Sequence, residues 1–306
     1  MRQILHDHAL QEELLEVGYV SVPLLDPDEL AAFRAEVEAM EPDDGFAPTG
    51  EGPFNYSTYH CTFLDTNAAY KRQANEAIRR VFQPHIDRYV VDYRILTSNL
   101  YVKPPGRGRF QIHQNWPTLE DLSITTLTVW CPLQHCTAEN ATLHMVPGSH
   151  KLTPDVATPA EPPFFSSFED ELVEQYLVPV EVEAGHALIF DDSLVHWSPD
   201  NQGDAPRWAV QIETLPVEAE PVLYHLDTTG SEARWELFSV DFDFYVDRSI
   251  AEVIGRPTEL TSLGHRPNRN RQMTVEDFAG LLAEGPTIRQ EVYRTGSWTP
   301  TTVLGS

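Results

Sequence analysis

Basic residues are scarce in this chain. Lysine and arginine number 21 against 47 acidic residues, a formal net charge of −26 over 306 residues. Neutralising phosphates takes clustered cations, so nucleic acid and anionic membranes are both poor partners. The acidity reads instead as solubility or a high-salt lineage. Cysteine is scarcer still: Cys61, Cys131 and Cys136 are the full set. An odd, widely spaced set makes neither a disulfide framework nor a CxxC motif, and it fits a reducing cytoplasm. No run of 18 apolar residues occurs, and no basic stretch leads into an apolar one at the N-terminus. The expectation is a soluble, cytoplasmic protein with no signal peptide or membrane span.

What is present is ample material for a core, at 41% hydrophobic residues. The expected organisation is a single domain over 1–306, with a β core over about 90–216, helical support over about 8–88 and an extension over about 217–306. Residues 8–17 read as a short amphipathic helix stopped by Gly18, and Tyr19 to Leu24 alternates like a strand. Asp26-Pro27-Asp28-Glu29 is a helix start with a capping box, followed by Leu30, Phe33, Val37 and Met40 at helical spacing. A loop is expected over 41–58 and a helix over 67–88, with Ala74, Ile78, Val81 and Phe82 on one side. From residue 90 the pattern changes to short β-branched strands. These cover 90–102, 110–113, 123–133, 141–146, 178–182, 186–190 and 208–215, with a proline-rich loop over 151–176. Many short strands with turns between them suggest a sandwich or jelly roll. In the tail, 235–245 reads as a strand or an aromatic packing segment and 275–282 as a helix with Thr274 as a possible cap.

Two stretches carry chemistry: Gln111-Ile112-His113-Gln114-Asn115-Trp116-Pro117 and Phe190-Asp191-Asp192-Ser193-Leu194-Val195-His196-Trp197-Ser198-Pro199. His113 and Asn115 are two apart and share a strand face. With His196 and Arg207 they suit a non-haem Fe(II) site beside an anionic co-substrate. The bland reading competes. A histidine on a strand is more often a satisfied structural residue, and twelve histidines make a chance pair easy. Arg207 alone reads as a surface ion pair with Asp204, and His150 as a support for its turn. Trp116 and Trp197 serve equally as pocket lids or as core. Tyr101 and Lys103 sit on a neighbouring strand, where either is able to face a co-substrate. His60-Cys61 lacks a partner pair at zinc spacing.

The ordered segments HQNW (113–116), TVWCPL (128–133), ENATLHMVPGSHKL (139–152), AGHALIFDDSLVHWSPDN (184–201) and RWAVQI (207–212) resemble the phytanoyl-CoA dioxygenase family over roughly residues 12–216. That resemblance implies a mainly β double-stranded β-helix (jelly roll, cupin-like) with flanking helices. It implies Fe(II) and 2-oxoglutarate as cofactors and a small-molecule substrate. His113 and His196 become iron ligands, Arg207 and Ser198 the holders of the distal carboxylate, and Trp130 a neighbour of the cofactor.

Two positions depart from the family pattern. The first ligand motif, usually His-x-Asp, is His-Gln-Asn here, and the usual Asn-Gly is Asn140-Ala141. Four arrangements stay open. Asn115 binds iron through its amide oxygen; or Glu120, Asp121, Asp191 or Asp192 replaces it; or the two histidines act with water or an anion; or the metal is lost. The functional alternatives are an oxygenase, a catalytically silent jelly-roll binding protein, and a metal-dependent hydrolase or isomerase.

Overall fold

The computed structural model describes residues 2–40, 42, 45–48, 58–152, 156–248 and 250–284. Most of the loop expected over 41–58 lies outside them. Three helices form the support: α1 His8–Val17, α2 Pro27–Ala39 and α3 Ala68–Ile86. The capping box is as expected. Asp26 Oδ1 accepts from the Asp28 and Glu29 N–H groups at 2.9 Å each, and Glu29 Oε2 accepts from the Asp26 N–H at 3.0 Å. Gly18 ends α1 in the left-handed conformation, its N–H donating to Leu14 O. His150 supports this corner, as its turn position suggests, with Nε2 3.2 Å from Leu15 O.

The strands are β1 Tyr19–Pro23, β2 His60–Cys61, β3 Tyr93–Lys103, β4 Phe110–His113, β5 Leu127–Pro132, β6 His144–Met145, β7 Val178–Pro179, β8 His186–Asp191, β9 His196–Ser198, β10 Arg207–Pro216, β11 Val222–Asp227, β12 Arg234–Ser239 and β13 Ser262–Pro267. They form a six-stranded sheet in the order β1-β8-β5-β10-β3-β2, a four-stranded sheet β4-β9-β6-β7, and a three-stranded sheet β11-β12-β13. All pairings are antiparallel. The first two sheets face each other as a double-stranded β-helix. No helix among the described residues is long and apolar enough to cross a membrane.

Period-two alternation sorts the large sheet's side chains. Val129 and Cys131 of β5, Ala187 and Ile189 of β8, and Trp208, Val210 and Ile212 of β10 pack outward with Phe33 and Val37 of α2 and Ile78 and Phe82 of α3. Each large aliphatic or aromatic group buried there contributes about 1.5–3 kcal/mol. The opposite phase points between the sheets. Trp130, Leu188, Phe190 and Ala209 meet Met145 there, and Arg207, Gln211 and Glu213 share the face of Ala209.

The tail differs from expectation. The strand expected over 235–245 ends at Ser239, and Phe244–Asp247 is a helical turn. The partners β11 and β13 were not foreseen. Their periodicity is weak because β13 is exposed or half-buried along its length. The segment expected as loop over 151–176 contains helical turns at Glu169–Glu171 and Leu172–Tyr176. Phe164, Phe165, Phe168 and Leu172 bury there against Phe278 and Leu281 of the helix Val275–Glu284, so packing overrides local propensity.

Gly185 joins β7 to β8 at φ 80°, and its carbonyl accepts from both Leu24 and Leu25 N–H. A Cβ there would lie 2.6 Å from Leu25 O. Gly185→Ala is therefore expected to cost roughly 2 kcal/mol, from the left-handed penalty and this overlap. Chemical denaturation measures it, and a loss within 0.5 kcal/mol would contradict the account.

Candidate metal and co-substrate site

β4 and β9 pair with His113 opposite His196, and the ring centroids lie 4.1 Å apart. Each ring turns Nδ1 to a carbonyl two residues earlier. His113 reaches Gln111 O at 2.9 Å, and His196 reaches Leu194 O at 2.8 Å. A carbonyl only accepts, so Nδ1 carries the proton and Nε2 keeps its lone pair. Burial pushes His196 down to about 4. Burial and then the neighbouring His196 push His113 well below its ordinary value. Two neutral imidazoles result, which is the form a metal needs.

Asn115 is held from behind. Its backbone N–H donates to Asp192 O at 2.8 Å. Its Nδ2 donates to Thr128 Oγ1 at 2.7 Å and to Asp192 Oδ1 at 3.1 Å, while Thr128 Oγ1 donates to Asp192 Oδ1 at 2.6 Å. The two acceptors lie 2.6 Å apart, so the amide nitrogen faces both from one side. The amide oxygen is therefore the end presented towards His113, with which the Asn115 side chain also interacts. The other candidate carboxylates are elsewhere. Glu120 Oε1 accepts from Arg266 Nε at 2.7 Å on the surface. Asp121 caps its own turn through Ser123, and Asp191 Oδ1 accepts from the Ser193 N–H at 2.8 Å. Asp192 touches Asn115 but lines a separate cavity with Gln114 and Thr126. Among the described residues no three His, Cys, Asp or Glu side chains gather to hold an ion. An amide oxygen beside two imidazole nitrogens is thus the donor set available, and it fits a divalent ion with open positions.

A cavity of about 50 Å³ opens from the His pair between the two sheets. Arg207 lies at its wall, 2% exposed. Its Nη2 donates to Ser198 Oγ at 3.2 Å, its guanidinium sits 5.4 Å from the Trp130 ring centroid, and its Nε and Nη1 make no hydrogen bond. Lys103, opposite Arg207 on β3, donates to Ser198 O, Ser198 Oγ and Pro199 O at 2.7–3.1 Å. Among the described residues no carboxylate lines this cavity. A buried guanidinium without an anion is costly by several kcal/mol, so the cavity is built to receive one.

A larger cavity of about 100 Å³ shares Tyr101, Phe110, His113 and Gln211 with the first. Its wall is aromatic, with Trp116 included, and its far end carries Glu213. The Tyr101 hydroxyl donates to Gln211 Oε1 at 3.0 Å, and Gln211 Nε2 donates to Glu213 Oε1 at 3.2 Å. Burial, then the charge of Asp192, pushes Glu213 up to about 8.

All six residues singled out from the sequence thus meet here: His113, Asn115, His196, Ser198, Arg207 and Trp130. Trp197 lines the smaller cavity. Lys103 is buried beside Ser198, while His60 binds the Tyr70 hydroxyl at 3.0 Å instead. Gln211, Glu213 and Thr128 were missed. The phase of β10, with Arg207 facing in, was the signal that would have found the first two.

This is the architecture of a non-haem iron 2-oxoglutarate oxygenase. The chain matches the phytanoyl-CoA dioxygenase (PhyH) family over residues 14–209 and belongs to that family, whose cofactors are Fe(II) and 2-oxoglutarate. A phytanoyl-CoA dioxygenase domain-containing protein 1 homolog from Dictyostelium discoideum is 28% identical over 134 residues, which is 42% of this chain and 47% of that protein. The chain thus spans about half the length of this curated relative. Among solved structures, the non-haem alpha-ketoglutarate-dependent carbocyclase SnoK of nogalamycin biosynthesis is similar at TM-score 0.57 and 23% identity, covering 70% of this chain and 86% of that one. HygX from Streptomyces hygroscopicus, with nickel, 2-oxoglutarate and hygromycin B bound, is similar at TM-score 0.51 and 19% identity, covering 74% and 93%. These likenesses concern the fold.

Glu213 titrates near 4.5 in the unfolded chain and near 8 in the folded one. The stability tied to its proton is full below about pH 4.5 and is lost as pH rises through 8. Glu213→Gln does not ionise, so it is expected to match the wild type at pH 4 and exceed its stability by on the order of 2 kcal/mol at pH 9. Urea denaturation at both pH values tests this. Parallel pH profiles would mean that the carboxyl is not shifted.

Proposed function

We propose that the chain is an Fe(II)- and 2-oxoglutarate-dependent dioxygenase in which His113, His196 and the amide oxygen of Asn115 hold the iron. Arg207 receives the distal carboxylate of 2-oxoglutarate, Ser198 completes its hydrogen bonding and Trp130 covers the guanidinium face. The observation that carries this reading is the buried Arg207, with two nitrogens unbonded, in a cavity that has no acid and opens on two neutral imidazoles. Bound Fe(II) with 2-oxoglutarate and O2 supplies the oxidising power, and the co-substrate leaves as succinate and CO2. The protein orients and excludes water. The His Nδ1–carbonyl bonds fix both rings, Asp192 and Thr128 fix the amide, and Phe110 and Trp197 wall the co-substrate from solvent. The product is an oxidised, by default hydroxylated, small organic metabolite. Asn115 is neutral, so it holds Fe(II) less tightly than an aspartate would.

The test is anaerobic titration of metal-stripped protein with Fe(II) and then 2-oxoglutarate, read by the visible charge-transfer band. The band is expected in the wild type and absent in His196→Ala. Arg207→Ala should weaken 2-oxoglutarate by at least thirtyfold, about 2–5 kcal/mol. Asn115→Asp should bind Fe(II) more tightly. No band at millimolar ligand, with no succinate in air, would sink the reading and leave a silent binding protein. Asp192→Ala, which loses the acceptor that orients Asn115, is expected to lower Fe(II) affinity about 10-fold or more by calorimetry. Unchanged affinity would detach Asp192 from the site.

A further inference from the structure

Apart from Ala209, the inward face of β10 from Arg207 to Glu213 is polar, with a base at one end and a carboxyl at the other. Arg207 stands at the start, opposite Lys103; Gln211 stands in the middle, opposite Asn99; Glu213 stands further on, between Thr97 of β3 and Thr128 of β5. Six residues of extended strand separate the cation from the acid by about 20 Å. The basic end belongs to the smaller cavity. The acidic end belongs to the larger one, and no lysine or arginine is among the residues that line it. The charged group acting most strongly on Glu213 is Asp192, another acid. Its one donor among the wall residues is the neutral amide of Gln211.

Six aromatic side chains stand in that wall: Tyr59, Phe63, Tyr101, Phe110, Trp116 and Tyr245. Tyr59 and Tyr101 stack at 6.0 Å, and Tyr59 and Phe110 lie 5.6 Å apart, so several ring faces are held side by side. Ring faces are negative and attract cations, most strongly where water is excluded. A buried acid that meets no lysine or arginine among the described residues of that wall, in a cavity it shares with aromatic rings, is complementary to one kind of group.

We infer that this cavity receives a substrate bearing a cationic nitrogen, seated against Glu213, with its carbon skeleton along the aromatic wall beside His113. The inference rests on the oxygenase reading for the substrate's fate, but not for its recognition. Positive charge is selected at one end of β10 and negative charge at the other. The dicarboxylate and the amine therefore cannot exchange places, although their cavities share a wall.

The test uses a matched pair of probes, 4-(trimethylammoniomethyl)phenol and its neutral carbon isostere 4-neopentylphenol. Both are titrated by calorimetry into the full chain loaded with Fe(II) and 2-oxoglutarate without oxygen, and into the metal-free chain. The wild type is expected to bind the cation at least tenfold more tightly than the isostere in both forms. Glu213→Gln should abolish that preference and leave the isostere's affinity unchanged, which also reports an intact pocket. Glu213→Asp, which keeps the charge, should retain most of the preference. Equal binding of the two probes, a preference that survives Glu213→Gln, or binding of neither probe would overturn the inference. The charge-transfer band is followed in the same samples. A preference without the band would remove the oxygenase reading and keep the cation site; the band without a preference would do the reverse.

Discussion

The pairing of β4 with β9 is the constraint on which the site depends. It sets His113 opposite His196 across two antiparallel strands, with the rings 4.1 Å apart. Neither ring is placed by a flexible loop. Each is fixed by its strand, by a carbonyl two residues behind it, and by the apolar surroundings that keep it neutral. The six-stranded sheet and its helices hold the opposite wall, so the two sheets confront imidazole with guanidinium across a dry space.

Asn115 occupies the place where the family carries an acid, and the structure does not leave that amide loose. Its nitrogen donates to both Thr128 and Asp192, which puts a carboxyl one hydrogen bond behind the amide. A carboxylate that touches the ligand's amide polarises it through the bond.

Much of this was legible in the sequence, and for identifiable reasons. The capping box at Asp26 and the turn at Gly185 are local devices whose residues leave few options. The β core was readable because its strands alternate. The His113–His196 pair was visible as two motifs but not as a contact, since register is set by non-local pairing. The partner of Asn115 was hidden for the same reason. Asp192 was one of four acids near in sequence, and only the antiparallel run of β5 beside β8 selects it. Gln211 and Glu213 were overlooked because a glutamate in a strand reads as solvent-facing until its neighbours' phase is fixed by Arg207. The tail was least legible. β11 and β13 pair on either side of β12 with little apolar patterning, and the turns at 169–176 owe their shape to distant aromatic residues.

The Tyr101–Gln211–Glu213 relay has a further consequence. The hydroxyl of Tyr101 donates to the Gln211 amide, and that amide donates on to Glu213. Tyr101 and Gln211 line both cavities, so the amide's orientation is set jointly from the two sides. An occupant that draws the Gln211 amide towards itself alters what its neighbour meets. By thermodynamic reciprocity, whatever factor the first ligand imposes on the second is returned in full. Two ligands that never touch would thus sense each other through one side-chain amide, and the occupancy of either cavity would carry information about the other.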